Sequence, residues 1–202
     1  MALKRDIYRA LEDVVGPENI NEDPVILYSY AWRSGLVATP QLFVPPFEAV
    51  TLPKNTGEVQ AIVKLCNRFK IQFKASSTGW GCYCDPAGPG VIKIDLRRMD
   101  RVIEINEKNM YAVVEPYVIY AQLQAELMKR GLVCNITGAG SNCSALPIAA
   151  HANLGHMSQS GSYGERNLLG VEWVSPDGEI VRLGALGSSN EWFCSDGPGP
   201  SL

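Results

Sequence analysis

A chain of 202 residues, 46% of them hydrophobic, is long enough to bury a core in one large domain or two small ones. Its formal charge of −3, with Lys and Arg scattered rather than clustered, excludes nucleic acid or an anionic membrane surface as the main partner and favours a small-molecule substrate. No window approaches the roughly eighteen consecutive apolar residues of a membrane span. The N-terminus also lacks an apolar stretch ending at a small-residue cleavage site, so a soluble, cytoplasmic protein is expected.

Residues 3–15 place Leu3, Ile7, Leu11, Val14 and Val15 at helical spacing, and Gly16-Pro17 ends the run. Val44-Pro45-Pro46 breaks the chain before a short extended segment, Ala49-Val50-Thr51-Leu52-Pro53. Asn55 or Thr56 can cap the next helix, with Glu58 close behind and Val59, Ile62, Val63 and Leu65 as its apolar stripe through Cys66 and Phe69. Ile71-Gln72-Phe73 then alternates as a strand would.

A glycine-rich loop follows this strand. In Ser76-Ser77-Thr78-Gly79-Trp80-Gly81-Cys82, glycines and small hydroxyl residues can turn several backbone N–H groups toward one point, making a nest for an anion such as a pyrophosphate. Such a loop suggests a dinucleotide cofactor.

Strand-like runs recur at 91–95, 101–105 and 110–114, with Glu107-Lys108-Asn109 as the turn between the last two. Ile119, Leu123, Leu127 and Met128 restore the helical period, and Gly131 stops it. Residues 132–165 read as one long segment rich in glycine, serine and alanine, of a length that is usually functional. Gly170–Val174 and Glu179–Leu183 flank Pro176-Asp177-Gly178 as a hairpin. This order fits an α+β architecture of two small subdomains with a cleft between them.

Six cysteines without a secretory signal read as free, mostly buried thiols. The C-x-C spacing of Cys82-Tyr83-Cys84 is not a zinc knuckle and has no second close pair, so no metal site is assigned. Both histidines, His151 and His156, fall in the long segment, where they could contact a cofactor or serve structure alone.

Taken in order, these motifs resemble the FAD-binding domain of the vanillyl-alcohol oxidase and p-cresol methylhydroxylase family, which also includes glycolate oxidase and D-lactate dehydrogenase flavoproteins. Val50-Thr51-Leu52-Pro53 with Glu58-Val59 is similar to the family's opening V-x-x-P-x-x-x-x-E-V, and the loop at Ile71–Cys82 follows. Next come Ile94-Asp95-Leu96-Arg97-Arg98-Met99 with Arg101–Ile105, and then Ala112-Val113-Val114-Glu115-Pro116. Ser144–Ala150, Gly161-Ser162-Tyr163-Gly164 and the hairpin Val171–Glu179 complete the series.

The resemblance implies a two-subdomain FAD-binding domain of the vanillyl-alcohol oxidase type over residues 45–202, C-terminally incomplete, behind an N-terminal helical extension over residues 1–44. It implies that FAD is held by Ser76, Ser77, Thr78, Gly79, Trp80, Gly81 and Cys82 around the pyrophosphate. Pro116, Ser144, Ala145, Pro147, Ile148, His151, Gly161, Ser162, Tyr163 and Gly164 would lie along the ribityl chain and flavin. Some members attach the flavin through a histidine where this chain has Trp80, so noncovalent FAD is expected. The loop also keeps fewer glycines than the family's usual Pro-Arg-Gly-x-Gly, and Tyr117 stands where a glycine usually follows Pro116.

The implied activity is that of an FAD-dependent oxidoreductase, moving a hydride from a hydroxy acid, an alcohol or a para-alkyl phenol to flavin N5. The family's substrate domain is absent from this chain, so a C-terminal segment or separate subunit is expected to carry it, and an electron-carrier protein is one outlet for the electrons. The second reading is a non-catalytic FAD-binding or electron-transfer subunit of a larger complex. No catalytic residue is assigned.

Overall fold

A computed structural model describes residues 3–31, 44–79, 84–86, 88–134, 140–150 and 168–184. The described residues divide into two compact units. The first runs to Arg98 and includes Val174–Glu179; the second holds Met99–Trp173 and the residues from Ile180 onward.

In the first unit, α1 (Arg5–Val15) buries Ile7, Tyr8, Leu11 and Val15, a stripe one side of a helix wide. Gly16 ends it with φ 87°, and the Asn19 side chain donates to the Val15 carbonyl at 2.8 Å, satisfying one open acceptor of the last turn. β1 (Ile20–Asn21) and α2 (Pro24–Ser29) follow, and neither is anticipated from periodicity. The sequence signal for α2 is Asp23-Pro24: the Asp23 carboxylate accepts the Val25 N–H at 2.7 Å and proline occupies the first turn.

After β2 (Val50–Thr51), α3 (Thr56–Phe69) starts where the sequence places it. Asn55 Oδ1 accepts the Glu58 N–H at 2.9 Å while the Glu58 carboxylate reaches back to the Lys54 N–H at 2.9 Å, a reciprocal cap. Ile62, Val63 and Cys66 form the buried face of α3.

β3 (Gln72–Ser76) and β4 (Val91–Asp95) pair in parallel, from Gln72 beside Val91 to Ser76 beside Asp95. β2 lies on the other flank of β4, also parallel, and β1 closes that edge antiparallel, giving the order β1-β2-β4-β3. The β2-α3-β3 crossover therefore passes over β4, and all five residues of β4 are buried. Ile92 and Ile94 join α1 and α3 in the larger core, while Val91 packs with Leu27, Phe47 and Val50 in a separate apolar cluster.

In the second unit, β5 (Val102–Asn106) and β6 (Tyr111–Val114) form the expected hairpin, with an irregular register between Val102 and Glu104 and Met110 at φ 54° in the turn. α4 (Tyr120–Met128) buries Tyr120, Leu123 and Leu127. The long segment read as loop contains a helix, α5 (Ala145–Ala150), whose small residues carry little periodic signal. Val118, Tyr120, Leu123, Leu127, Cys143 and Ala145 make this unit's core.

The last hairpin joins β7 (Gly170–Val174) to β8 (Ile180–Gly184). Its tip is closed by Ser175 N–H to the Glu179 carbonyl at 2.8 Å and by Gly178 at φ 85°. Among the described residues no helix is long and apolar enough to cross a membrane.

Candidate functional site

The candidate cofactor residues fall in two groups, one in each unit. In the first, the glycine-rich loop leaves the carboxyl end of β3, the side of a parallel sheet where open α/β sheets place their ligands. Ser76 is buried and its carbonyl accepts the Leu96 N–H at 3.0 Å, which ties the start of the loop to the residue following β4. Ser77 and Thr78 are half-buried and Gly79 is exposed. Gly79 has φ 76°, and a Cβ placed there would meet nothing within 4 Å among the described residues. Small hydroxyl residues leading into an accessible, positive-φ glycine are a donor set that fits a diphosphate. Trp80, Gly81 and Cys82 lie outside the described residues.

Beneath this loop, β4 carries two buried charges on one face, Lys93 and Asp95. One Asp95 carboxylate oxygen accepts from the Tyr30 hydroxyl at 2.7 Å and from Arg97 Nε and Nη2 at 2.9 and 2.6 Å, while the other accepts the Arg97 N–H at 2.9 Å. Lys93 Nζ donates to the Cys84 carbonyl at 3.1 Å and lies 5.1 Å from the centre of the Phe47 ring and 5.9 Å from that of Tyr30. Burial pushes the Lys93 ammonium below the ordinary lysine range; Cys84, Asp95 and Asp85 oppose the shift and Lys74 adds to it.

These groups escape the sequence reading because Val-Ile-Lys-Ile-Asp alternates as a strand with one wet face would. The usable signal was topological. A strand flanked by two parallel neighbours and covered on both sides has no wet face.

In the second unit, Glu115 accepts the Arg101 N–H at 2.8 Å and Arg101 Nη2 at 2.7 Å, and this pairing holds its carboxyl below the ordinary range. The clamp shapes the turn at half-buried Pro116, where the Val118 N–H donates to the Glu115 carbonyl at 3.1 Å.

Residues Cys143–Ala145 are stitched to that same stretch. The Tyr120 N–H donates to the Cys143 carbonyl at 3.0 Å and the Ala145 N–H to the Val118 carbonyl at 2.8 Å. Ser144 and Ala145 are accordingly buried, whereas Pro147 and Ile148, like Leu146 and Ala149, are half-buried. The structure thus brings Ser144, Ala145, Pro147 and Ile148 together around the start of α5. His151, Gly161, Ser162, Tyr163 and Gly164 lie outside the described residues.

Cys66, Cys84, Cys134 and Cys143 stand outside any disulfide, and burial pushes the Cys66 thiol up to about 12, leaving it unreactive at neutral pH. Among the described residues no group of His, Cys, Asp and Glu is arranged to hold a metal ion.

Comparison with known proteins bears on both groups. A family model described as FAD binding domain matches residues 47–184. The flavoprotein subunit of 4-cresol dehydrogenase (hydroxylating) from Pseudomonas putida is 30% identical over 165 residues, covering 78% of this chain and 31% of that protein. A glycolate oxidase subunit from Bacillus subtilis is 28% identical over 189 residues, covering 90% of this chain and 38% of that protein. The solved structure of 4-ethylphenol oxidase from Gulosibacter chungangensis aligns with a TM-score of 0.77 at 28% identity, over 95% of this chain and 37% of that one. The chain therefore spans about a third of the length of these relatives.

Proposed function

The chain belongs to the FAD-binding domain family, and from that membership we propose that it is the FAD-binding part of an oxidoreductase acting on a hydroxy acid, an alcohol or a para-alkyl phenol. The observation that carries the reading is the loop at the carboxyl end of β3, where Ser77, Thr78 and an open Gly79 at φ 76° fit a diphosphate. Ser76 anchors that loop through its carbonyl, and the hydroxyls of Ser77 and Thr78, together with loop amides, hold the phosphate oxygens. In the second unit Pro116, Pro147 and Ile148 offer surface to the flavin, and the Glu115–Arg101 pair keeps the Pro116 turn in shape.

When bound, FAD would supply a two-electron acceptor for a hydride from the substrate carbon. The substrate classes are taken from the relatives, which are named for 4-cresol, 4-ethylphenol and glycolate. That the chain spans about a third of those proteins supports a substrate-holding segment or subunit outside residues 1–202, with an electron carrier as one acceptor downstream.

The second reading, a non-catalytic FAD-binding or electron-transfer subunit, is favoured by the same coverage and by relatives named as subunits. Purification of the full protein, together with the segment or subunit that holds substrate, followed by anaerobic addition of glycolate or 4-cresol, separates the two. Bleaching of a bound flavin supports the oxidoreductase, a yellow protein inert to both supports the subunit, and a protein that binds no flavin contradicts both.

A further inference from the structure

Lys93 is 3% exposed, a costly place for an ammonium unless something depends on it. It sits at the midpoint of β4, between the rings of Phe47 and Tyr30, whose faces offset part of the desolvation. Its Nζ donates to the carbonyl of Cys84, two residues after the glycine-rich stretch Ser76–Cys82 in the sequence. The near end of that stretch is tied to the sheet by a backbone bond, Leu96 N–H to the Ser76 carbonyl. Cys84, just beyond the stretch, is tied to β4 by a buried charge.

We propose that Lys93 is a positioning residue for FAD: by holding the Cys84 carbonyl it sets the far end of the phosphate loop before the cofactor arrives. This rests on the reading of Ser76–Cys82 as the pyrophosphate loop. A loop anchored at both ends loses less conformational freedom when its amides close on an anion, so the anchor appears as affinity. The charge strengthens the hydrogen bond to the carbonyl, since a charge-assisted bond is about twice as strong as a neutral one. The groups facing the ammonium are Tyr30 after α2, Lys74 on β3, Asp95 on β4 itself, and Cys84 and Asp85 from the loop.

Replacing a buried charge with an apolar side chain of similar volume is commonly neutral or stabilising. Lys93→Met should therefore separate two quantities that a merely structural residue would move together. In the full protein stripped of cofactor, the variant is expected to bind FAD about tenfold more weakly and to exchange backbone hydrogens faster at Cys84 and Asp85. Its unfolding midpoint should match or exceed the parent's. Lys93→Arg, which restores a charged donor, should recover part of the affinity.

Unchanged FAD affinity in Lys93→Met overturns the proposal, as does a loss of affinity that merely follows a loss of stability. If the parent protein takes up no FAD, the cofactor reading itself fails. Exchange at Cys84 and Asp85 then judges the anchor alone, and unchanged exchange in Lys93→Met would overturn it.

Discussion

The two units present candidate cofactor surfaces by opposite means. In the first, the loop hangs from the end of a parallel strand, and charged groups beneath it, Lys93 and Asp95, are buried and partnered. In the second, an apolar cluster around Leu123 and Leu127 packs beside small residues, and Ser144 and Ala145 are consumed by that packing. The contrast teaches that binding and stability are separable in the first unit and coupled in the second. A loop residue that touches no core can be changed with little cost to the fold, whereas a small residue inside a core cannot.

The largest expected effect tests the second half of that contrast. Leu123→Ala removes a buried side chain from the smaller core and should cost about 2–5 kcal/mol. Hydrogen exchange should accelerate across α4 and the β5–β6 hairpin while the sheet of the first unit keeps its protection. Uniform acceleration through both units would break the division.

Ala145→Leu should cost about 1–3 kcal/mol through overpacking, read as a lowered unfolding midpoint. Gly79→Ala in the first unit should cost less, about 1 kcal/mol or slightly more for its positive φ, because a Cβ there meets nothing within 4 Å among the described residues. An equal loss in both variants would remove the distinction.

Buried charges sharpen the comparison through pH. Glu115 titrates below the ordinary carboxylate range chiefly because of the Arg101 hydrogen bond, so the unfolded chain holds its proton more tightly. Its stabilising contribution is present above the ordinary glutamate range and is lost as pH falls through the lowered folded value.

Lys93 titrates below the ordinary lysine range because of burial, so here too the unfolded chain holds the proton more tightly. The penalty of the buried ammonium fades as pH climbs from the lowered folded value toward the ordinary one. Stability should therefore rise with pH in two windows, one ending at the ordinary glutamate range for Glu115 and one ending at the ordinary lysine range for Lys93. Urea titrations across pH should show Glu115→Gln flattening the first and Lys93→Met the second.

The smallest effect is expected on the surface. Val25 is 80% exposed on α2, and Val25→Thr should change stability by no more than about 0.5 kcal/mol. A larger loss would show that α2 is covered in the folded protein.

Elements with strong periodicity were legible in the sequence: α1, α3 with its Asn55 cap, β4, the β5–β6 hairpin and the turn before β8. α2 was not, because six residues are too few to show a period and its signal is only the Asp23-Pro24 start. α5 hid within a segment rich in glycine, serine and alanine, where small residues blur buried and exposed faces. That a loop follows β3 at Ser77–Gly79 was legible through its composition. Lys93 was not, since alternation along β4 predicts a charge in solvent, and only the pairing of both its edges shows that strand to be covered.

The central claim is that FAD is held without a covalent bond by the loop after β3. Acid precipitation of the purified full protein, followed by identification of the flavin in supernatant and pellet, tests it most directly when done on the parent and on Gly79→Val in parallel. A β-branched side chain at φ 76° both strains the backbone and obstructs its approach to a phosphate. The account predicts FAD in the parent's supernatant and little or none from a folded Gly79→Val. Flavin that stays with the pellet, or equal flavin in both proteins, would contradict it.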